Sequence, residues 1–126
     1  MKKKKIYVAD DDPDVLEVIK QILELNDYEV MTSLNGLSLM NDVYPNPDLV
    51  LLDILMPDTD GRDICRALKT GEHTHHIPVI MMSAFSDLST IIFDTKADDF
   101  ITKPFEISDL LLKIKKHLNQ EVEICR

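Results

Sequence analysis

"LVLLD", residues 49–53, is an unbroken apolar run that ends in a carboxylate. A strand wetted on one face alternates apolar and polar residues. A run that is apolar at every position needs cover on both faces, as in a parallel sheet between two layers of helices. Working outward, "KIYVAD" (5–10) is a β-branched and aromatic run that ends in Asp10, with Asp11 and Asp12 behind it. "YEVMT" (28–32) is a second strand, "IPVIMMS" (77–83) ends in Ser83, and "DDFITK" (98–103) ends in Lys103.

Helical patterns separate these strands. Asp12-Pro13 reads as an N-cap followed by proline at the first helical position. Val15, Leu16, Ile19, Ile22 and Leu23 recur at helical spacing to about Leu25. Residues 36–43 form a short helix closed by "YPNPD", and "MPDTDG" (56–61) is a turn. Residues 62–70 form a helix with Ile64, Cys65 and Leu68 inward, and "FSDLSTIIFDT" (85–95) a weak one. Residues 106–119 are amphipathic through Ile107, Leu110, Leu111, Ile114 and Leu118. Successive βα units of this kind predict a doubly wound α/β fold, a (βα)5 three-layer sandwich around a parallel five-stranded sheet.

The chain has 126 residues, enough for one domain, expected to span 1–126 with a core at about 5–119 and a tail at 120–126. Apolar residues make up 44% and charged residues 29%, the balance of a soluble globular protein. The net charge of −9 opposes binding to nucleic acid through overall charge. "MKKKK" is followed by only four apolar residues before Asp10, too few for a signal peptide, and no run reaches membrane-spanning length. The two cysteines make no disulfide framework, so a reduced, cytoplasmic protein is expected. Cys65 reads as core and Cys125 as a tail thiol.

In a doubly wound sheet ligands sit beyond the carboxyl ends of the strands, where strand order reverses. The first strand brings Asp10 and Asp11 there, the third Asp53, the fourth Ser83 and the fifth Lys103. Like charges so gathered repel: two carboxylates ~5 Å apart cost about 3 kcal/mol at an effective dielectric near 20. A hard divalent cation bound through oxygen relieves this, and Mg²⁺ commonly uses one or two carboxylates with phosphate oxygens. Asp53 is then a nucleophile for a phosphoryl group, with Ser83 as hydrogen-bond donor and Lys103 as balancing charge. Asp12 is a helix cap. "HTHHI" (73–77) places His73, His75 and His76 before the fourth strand, at the far end of the sheet, as a solvated loop.

"VADDDPD", "PDLVLLDILMPDTDG", "IPVIMMSA" and "DDFITKPF", in this order, resemble the receiver domain of bacterial response regulators over about residues 5–119. The resemblance implies CheY-like strand order 2-1-3-4-5 and a phosphoacceptor domain of a two-component phosphorelay. It implies Asp53 as phosphoacceptor, Asp11 as direct ligand of Mg²⁺ (or Mn²⁺), Asp10 acting on the metal mainly through water, and the Leu55 backbone carbonyl as a further ligand. Ser83 falls at the switch hydroxyl and Phe100 at the switch aromatic, a position that core packing explains equally well. The Lys103-Pro104 bond is expected to be cis. The implied donor is a histidine kinase or a histidine phosphotransfer protein. Output is expected through a downstream protein or as part of a larger chain, without direct contact to nucleic acid or membrane, from a monomer or a phosphorylation-dependent homodimer. Such a domain assists its own phosphorylation and dephosphorylation but is not an enzyme acting on other substrates.

The chain departs from the family between Ser83 and Lys103, which is about two residues short by alignment of the flanking motifs. Lys96 stands where the family has glycine before "ADD", and "DLSTIIFDT" is rich in poor helix formers. An irregular or shortened fourth helix is expected. Leu55 and Phe85 are apolar at positions that in the family govern water access, which predicts slow loss of the phosphoryl group. The alternative is a receiver-like interaction module that works without phosphorylation. A haloacid-dehalogenase-like phosphohydrolase wants a second acid where Leu55 stands. A flavin or nucleotide site lacks a glycine-rich loop, and a serine hydrolase lacks its nucleophile elbow at Ser83.

Overall fold

The structure, a computed structural model, describes residues 3–36, 46–56, 59–84 and 95–120. Strand β1 (Lys5–Ala9) leads into helix α1 (Pro13–Leu25), then β2 (Glu29–Ser33) and β3 (Leu49–Asp53). Two short pieces follow, β4 (Leu55–Met56) and β5 (Thr59–Asp60), then helix α2 (Gly61–Thr70), β6 (Val79–Ser83), β7 (Asp99–Thr102) and helix α3 (Ile107–His117). The main sheet is parallel throughout, in the order β2-β1-β3-β6-β7. With the β4-β5 ladder set aside, that is the expected order 2-1-3-4-5.

The apolar run of β3 explains the layering. All five of its residues are buried, and they divide by period two. Leu49 and Leu51 join Ile6, Val8, Ile80 and Met82 under Leu16, Ile19 and Leu23 of α1 and Leu110 and Ile114 of α3. Val50 and Leu52 join Tyr7, Ala9, Val79 and Met81 under Ile64, Cys65 and Leu68 of α2. A polar residue at any of these β3 positions would face a helix rather than water.

Local chemistry sets the ends of the elements. Asp12 caps α1, its carboxylate accepting from the N–H of Asp14 (2.9 Å) and of Val15 (3.4 Å), with Pro13 at the first position. β2 begins one residue later than expected, because the Tyr28 N–H still donates to Leu23 O at the end of α1. β6 begins at Val79 rather than Ile77: the Ile77 N–H donates to Thr74 O, and Pro78 has no N–H for the ladder. The expected turn at 56–61 is flanked by an antiparallel ladder that pairs Leu55 with Asp60 and Met56 with Thr59. Lys96 has φ 62°, the left-handed conformation that glycine adopts most easily. The expected helices at 36–43 and 85–95 lie almost wholly outside the described residues, so the irregular fourth helix does too.

Candidate functional site

The strand order reverses between β1 and β3; Asp10 stands just past the carboxyl end of β1, and Asp53 is the last residue of β3. Asp10 is completely buried. Its Oδ1 accepts from the Asp12 N–H (3.0 Å) and its Oδ2 from Lys103 Nζ (2.6 Å). Asp11, one residue on, is exposed. Asp53 is 6% exposed, and its Oδ1 accepts from the Ile54 N–H (3.0 Å). Oxygens of Asp10, Asp11 and Asp53 lie within 4.8 Å of one another, and this is the group of three or more potential metal-ligating side chains found among the described residues.

Lys103 follows β7, and its backbone N–H donates to the Ser83 carbonyl at 2.7 Å, which draws the two strand ends together. Its ammonium spans the carboxylates, 2.6 Å from Asp10 and 3.6 Å from Asp53. The Lys103-Pro104 bond is cis, as expected. Ser83 ends β6 and is buried at 3% exposure. Five of the sequence-predicted residues thus meet at one edge. Phe100 stands apart, half-buried against the α2-side core, with the Lys113 ammonium 5.9 Å from its ring centre. Leu55 is 58% exposed and borders a cavity shared with Asp11. Phe85 lies outside the described residues.

The electrostatics follow from this packing. Burial, then the charge of Asp10, pushes the Asp53 carboxyl up to about 6; Lys103 opposes the rise and Asp11 adds to it. Burial pulls the Lys103 ammonium down, but the hydrogen bond and charge of Asp10, with Asp53 behind them, leave it above the ordinary lysine value. One ammonium therefore stands among three carboxylates, and the formal excess is two negative charges. A divalent cation matches that excess, and an all-oxygen donor set suits a hard ion such as Mg²⁺. Among the described residues, thiol and imidazole lie elsewhere: buried Cys65 has its thiol pushed up to about 11 by burial, and His75 is held to Gly71 O in the loop after α2.

Gly61 is a participant that the sequence reading passed over as turn chemistry. Its N–H donates to Ile54 O at 2.8 Å, and a Cβ there would run into the carbonyl oxygen of Asp53. The signal was present as a glycine at the first helical position, just past the Asp60 cap, where helices have no need of one.

The sequence matches the response regulator receiver domain family over residues 6–115. The DNA-binding dual master transcriptional regulator RpaA of Synechocystis is 34% identical over 119 residues, which is 92% of this chain and 49% of that protein. The chain spans about half the length of the curated relatives it matches. Among solved structures, a response regulator from Chloroflexus aurantiacus superposes with a TM-score of 0.85 at 30% identity, over 94% of this chain and 100% of that one. The response regulator TrrA from Thermotoga maritima, solved in complex with Mg(2+)-BeF, superposes with a TM-score of 0.79 at 30% identity, over 90% of this chain and 98% of that one.

Proposed function

The chain belongs to the response regulator receiver domain family of two-component signalling, and from that premise we propose that Asp53 accepts a phosphoryl group from a phosphohistidine. The observation that carries the reading is the Lys103 ammonium held between Asp10 and Asp53 at 2.6 and 3.6 Å, with Asp11 beside them. A carboxylate oxygen of Asp53 attacks phosphorus, the phosphorus–nitrogen bond to the donor imidazole breaks, and an acyl phosphate forms. With its carboxyl at about 6, Asp53 is about nine-tenths ionised at pH 7 and able to attack. Lys103, pinned by Asp10, balances charge on the transferring oxygens, and the Ser83 hydroxyl donates to the phosphoryl group once it is in place.

Asp11, Asp53 and the Leu55 carbonyl would hold Mg²⁺ (or Mn²⁺), with Asp10 acting through water. Bound there, the ion offsets the negative charge of donor phosphoryl and carboxylates. The excess of carboxylate over ammonium supports this, as does the Mg(2+)-BeF bound to the related TrrA. The donor is a histidine kinase or a histidine phosphotransfer protein. Phosphorylation switches an interaction surface through Ser83 and Phe100, for a downstream protein or a second copy of the chain. Residues 1–126 act as one receiver domain, and no described helix is long and apolar enough to cross a membrane.

Intact mass spectrometry after incubation with acetyl phosphate tests the proposal. The expected result is a single phosphoryl adduct that needs Mg²⁺ and is lost in Asp53→Ala. An adduct retained by Asp53→Ala would remove Asp53 as acceptor. No adduct from acetyl phosphate or from a cognate phosphohistidine donor would remove the phosphoacceptor role.

A further inference from the structure

Gly61 has a task that its place after a turn does not reveal. The β4-β5 ladder brings the chain back on itself, so the first residue of α2 stands against the peptide that joins Asp53 to Ile54. Gly61 meets that unit twice. Its N–H donates to Ile54 O at 2.8 Å. On its other side the approach is so close that a Cβ would overlap the Asp53 carbonyl oxygen and stand 3.0 Å from both the Asp53 carbonyl carbon and Ile54 Cα. Carbon contacts settle at about 3.5–4.0 Å, so a methyl group there demands a displacement on the order of 1 Å.

That displacement falls on the acceptor rather than on the helix. Ile64, Cys65 and Leu68 seat α2 in the core, all buried, and the helix cannot draw back without opening it. The same peptide aims the acceptor side chain: the Ile54 N–H donates to Asp53 Oδ1 (3.0 Å) as well as to Met82 O (3.2 Å). The carboxylate so aimed keeps Oδ1 3.6 Å from Lys103 Nζ. A shift of the peptide is therefore a shift of the carboxylate. We propose that Gly61 is a positioning residue for phosphoryl transfer: its lack of a side chain lets α2 clamp the Asp53–Ile54 peptide and so hold the Asp53 carboxylate in place beside Lys103. The proposal rests on the phosphoacceptor reading given above.

The test compares Gly61→Ala with Gly36→Ala, by the rate of the acetyl phosphate adduct in intact mass spectra with Mg²⁺ and by amide NMR spectra in EDTA, below both melting temperatures. Gly36→Ala also strains the fold: φ is 71°, and a Cβ would meet Ile64 Cδ1 at 3.0 Å, but its nearest atoms belong to side chains of Ile64, Ala9 and Leu52 and not to the acceptor. Gly61→Ala is expected to form the adduct about tenfold to a hundredfold more slowly than the wild type, the effect of moving a reacting group by about 1 Å, while Gly36→Ala stays within about threefold. The Ile54 amide signal should move in Gly61→Ala and hold its place in Gly36→Ala. Equal adduct rates in the two variants, or an Ile54 signal that Gly61→Ala leaves unmoved, would overturn the assignment. The wild type carries a separate check that needs no variant to fold. Phosphorylation should move the Gly61 amide signal along with that of Ile54, and farther than that of Ala67 in the same helix; a Gly61 signal that stays put would also overturn it. A wild type that forms no adduct would instead overturn the phosphoacceptor reading itself.

Discussion

Asp53 strains the fold that holds it, and the strain has a predictable size and pH dependence. Its carboxyl stands at about 6 against an ordinary 3.8. Each pKa unit is worth about 1.4 kcal/mol, so the ionised carboxylate lowers the stability of the metal-free protein at pH 7 by about 3 kcal/mol. The sign follows from proton counting. Between 3.8 and about 6 the folded state holds this proton more tightly than the unfolded state, so stability from this group rises as pH falls through that window and is lost as pH rises through it. Other acids run the opposite way. The Asp60 carboxyl is held down by Arg62; burial raises that of Asp99, but His117, the Phe100 N–H and Lys113 outweigh it. The raw pH curve of the wild type therefore mixes signs, and the difference from Asp53→Asn isolates the one group. In urea melts with EDTA, Asp53→Asn should be more stable than the wild type by about 3 kcal/mol at pH 7, and the gap should shrink below about 1 kcal/mol by pH 4. Saturating Mg²⁺ should stabilise the wild type more than the variant. A gap that is absent at pH 7, or constant across the range, would refute the electrostatic account of this edge.

Lys103→Met removes the ammonium that bridges Asp10 and Asp53, and breaking a buried pair costs about 3–5 kcal/mol. Because the lysine is a quarter exposed, a loss of about 2–3 kcal/mol is expected in EDTA, with more of it recovered on adding Mg²⁺ than the wild type gains; urea melts with and without the ion measure both. Lys96→Gly should stabilise the protein by about 1 kcal/mol in the same melts, since the left-handed backbone there disfavours any residue with a Cβ. The phosphorylated protein should lose its phosphoryl group slowly, and Leu55→Asn with Phe85→Glu should speed the loss on the order of tenfold by giving the attacking water polar partners. Equal decay of the intact-mass adduct in the two proteins would remove that role for the apolar pair.

Much of this was legible because it is written in local patterns. The five-residue run at 49–53 required cover on both faces, and Leu49 and Leu51 do pack on one side of the sheet with Val50 and Leu52 on the other. Asp12-Pro13 announced the start of α1 to the residue. Boundaries slipped where a backbone group was already engaged by a neighbouring turn, as at Tyr28 and Ile77. The β4-β5 ladder was not foreseen, because a two-residue pairing has no periodicity to detect. Gly61 was passed over for a related reason: it matters through what stands across from it, the Asp53 carbonyl, not through what stands beside it in the chain.

The sequence alone determined the order of the described strands and helices, the burial of both sheet faces, and which side chains reach the carboxyl edge. These follow from hydrophobic period and capping chemistry, which act over a few residues. Only the tertiary structure decided how the gathered charges share that edge. It put Asp10 at full burial with its neighbour Asp11 in water, paired Lys103 more closely with Asp10 than with Asp53, and pushed the Asp53 carboxyl up through burial and the charge of Asp10. Those outcomes depend on distances of a few ångströms between residues 43 to 93 positions apart in the chain, and on a local dielectric that exists only once the core has closed around them.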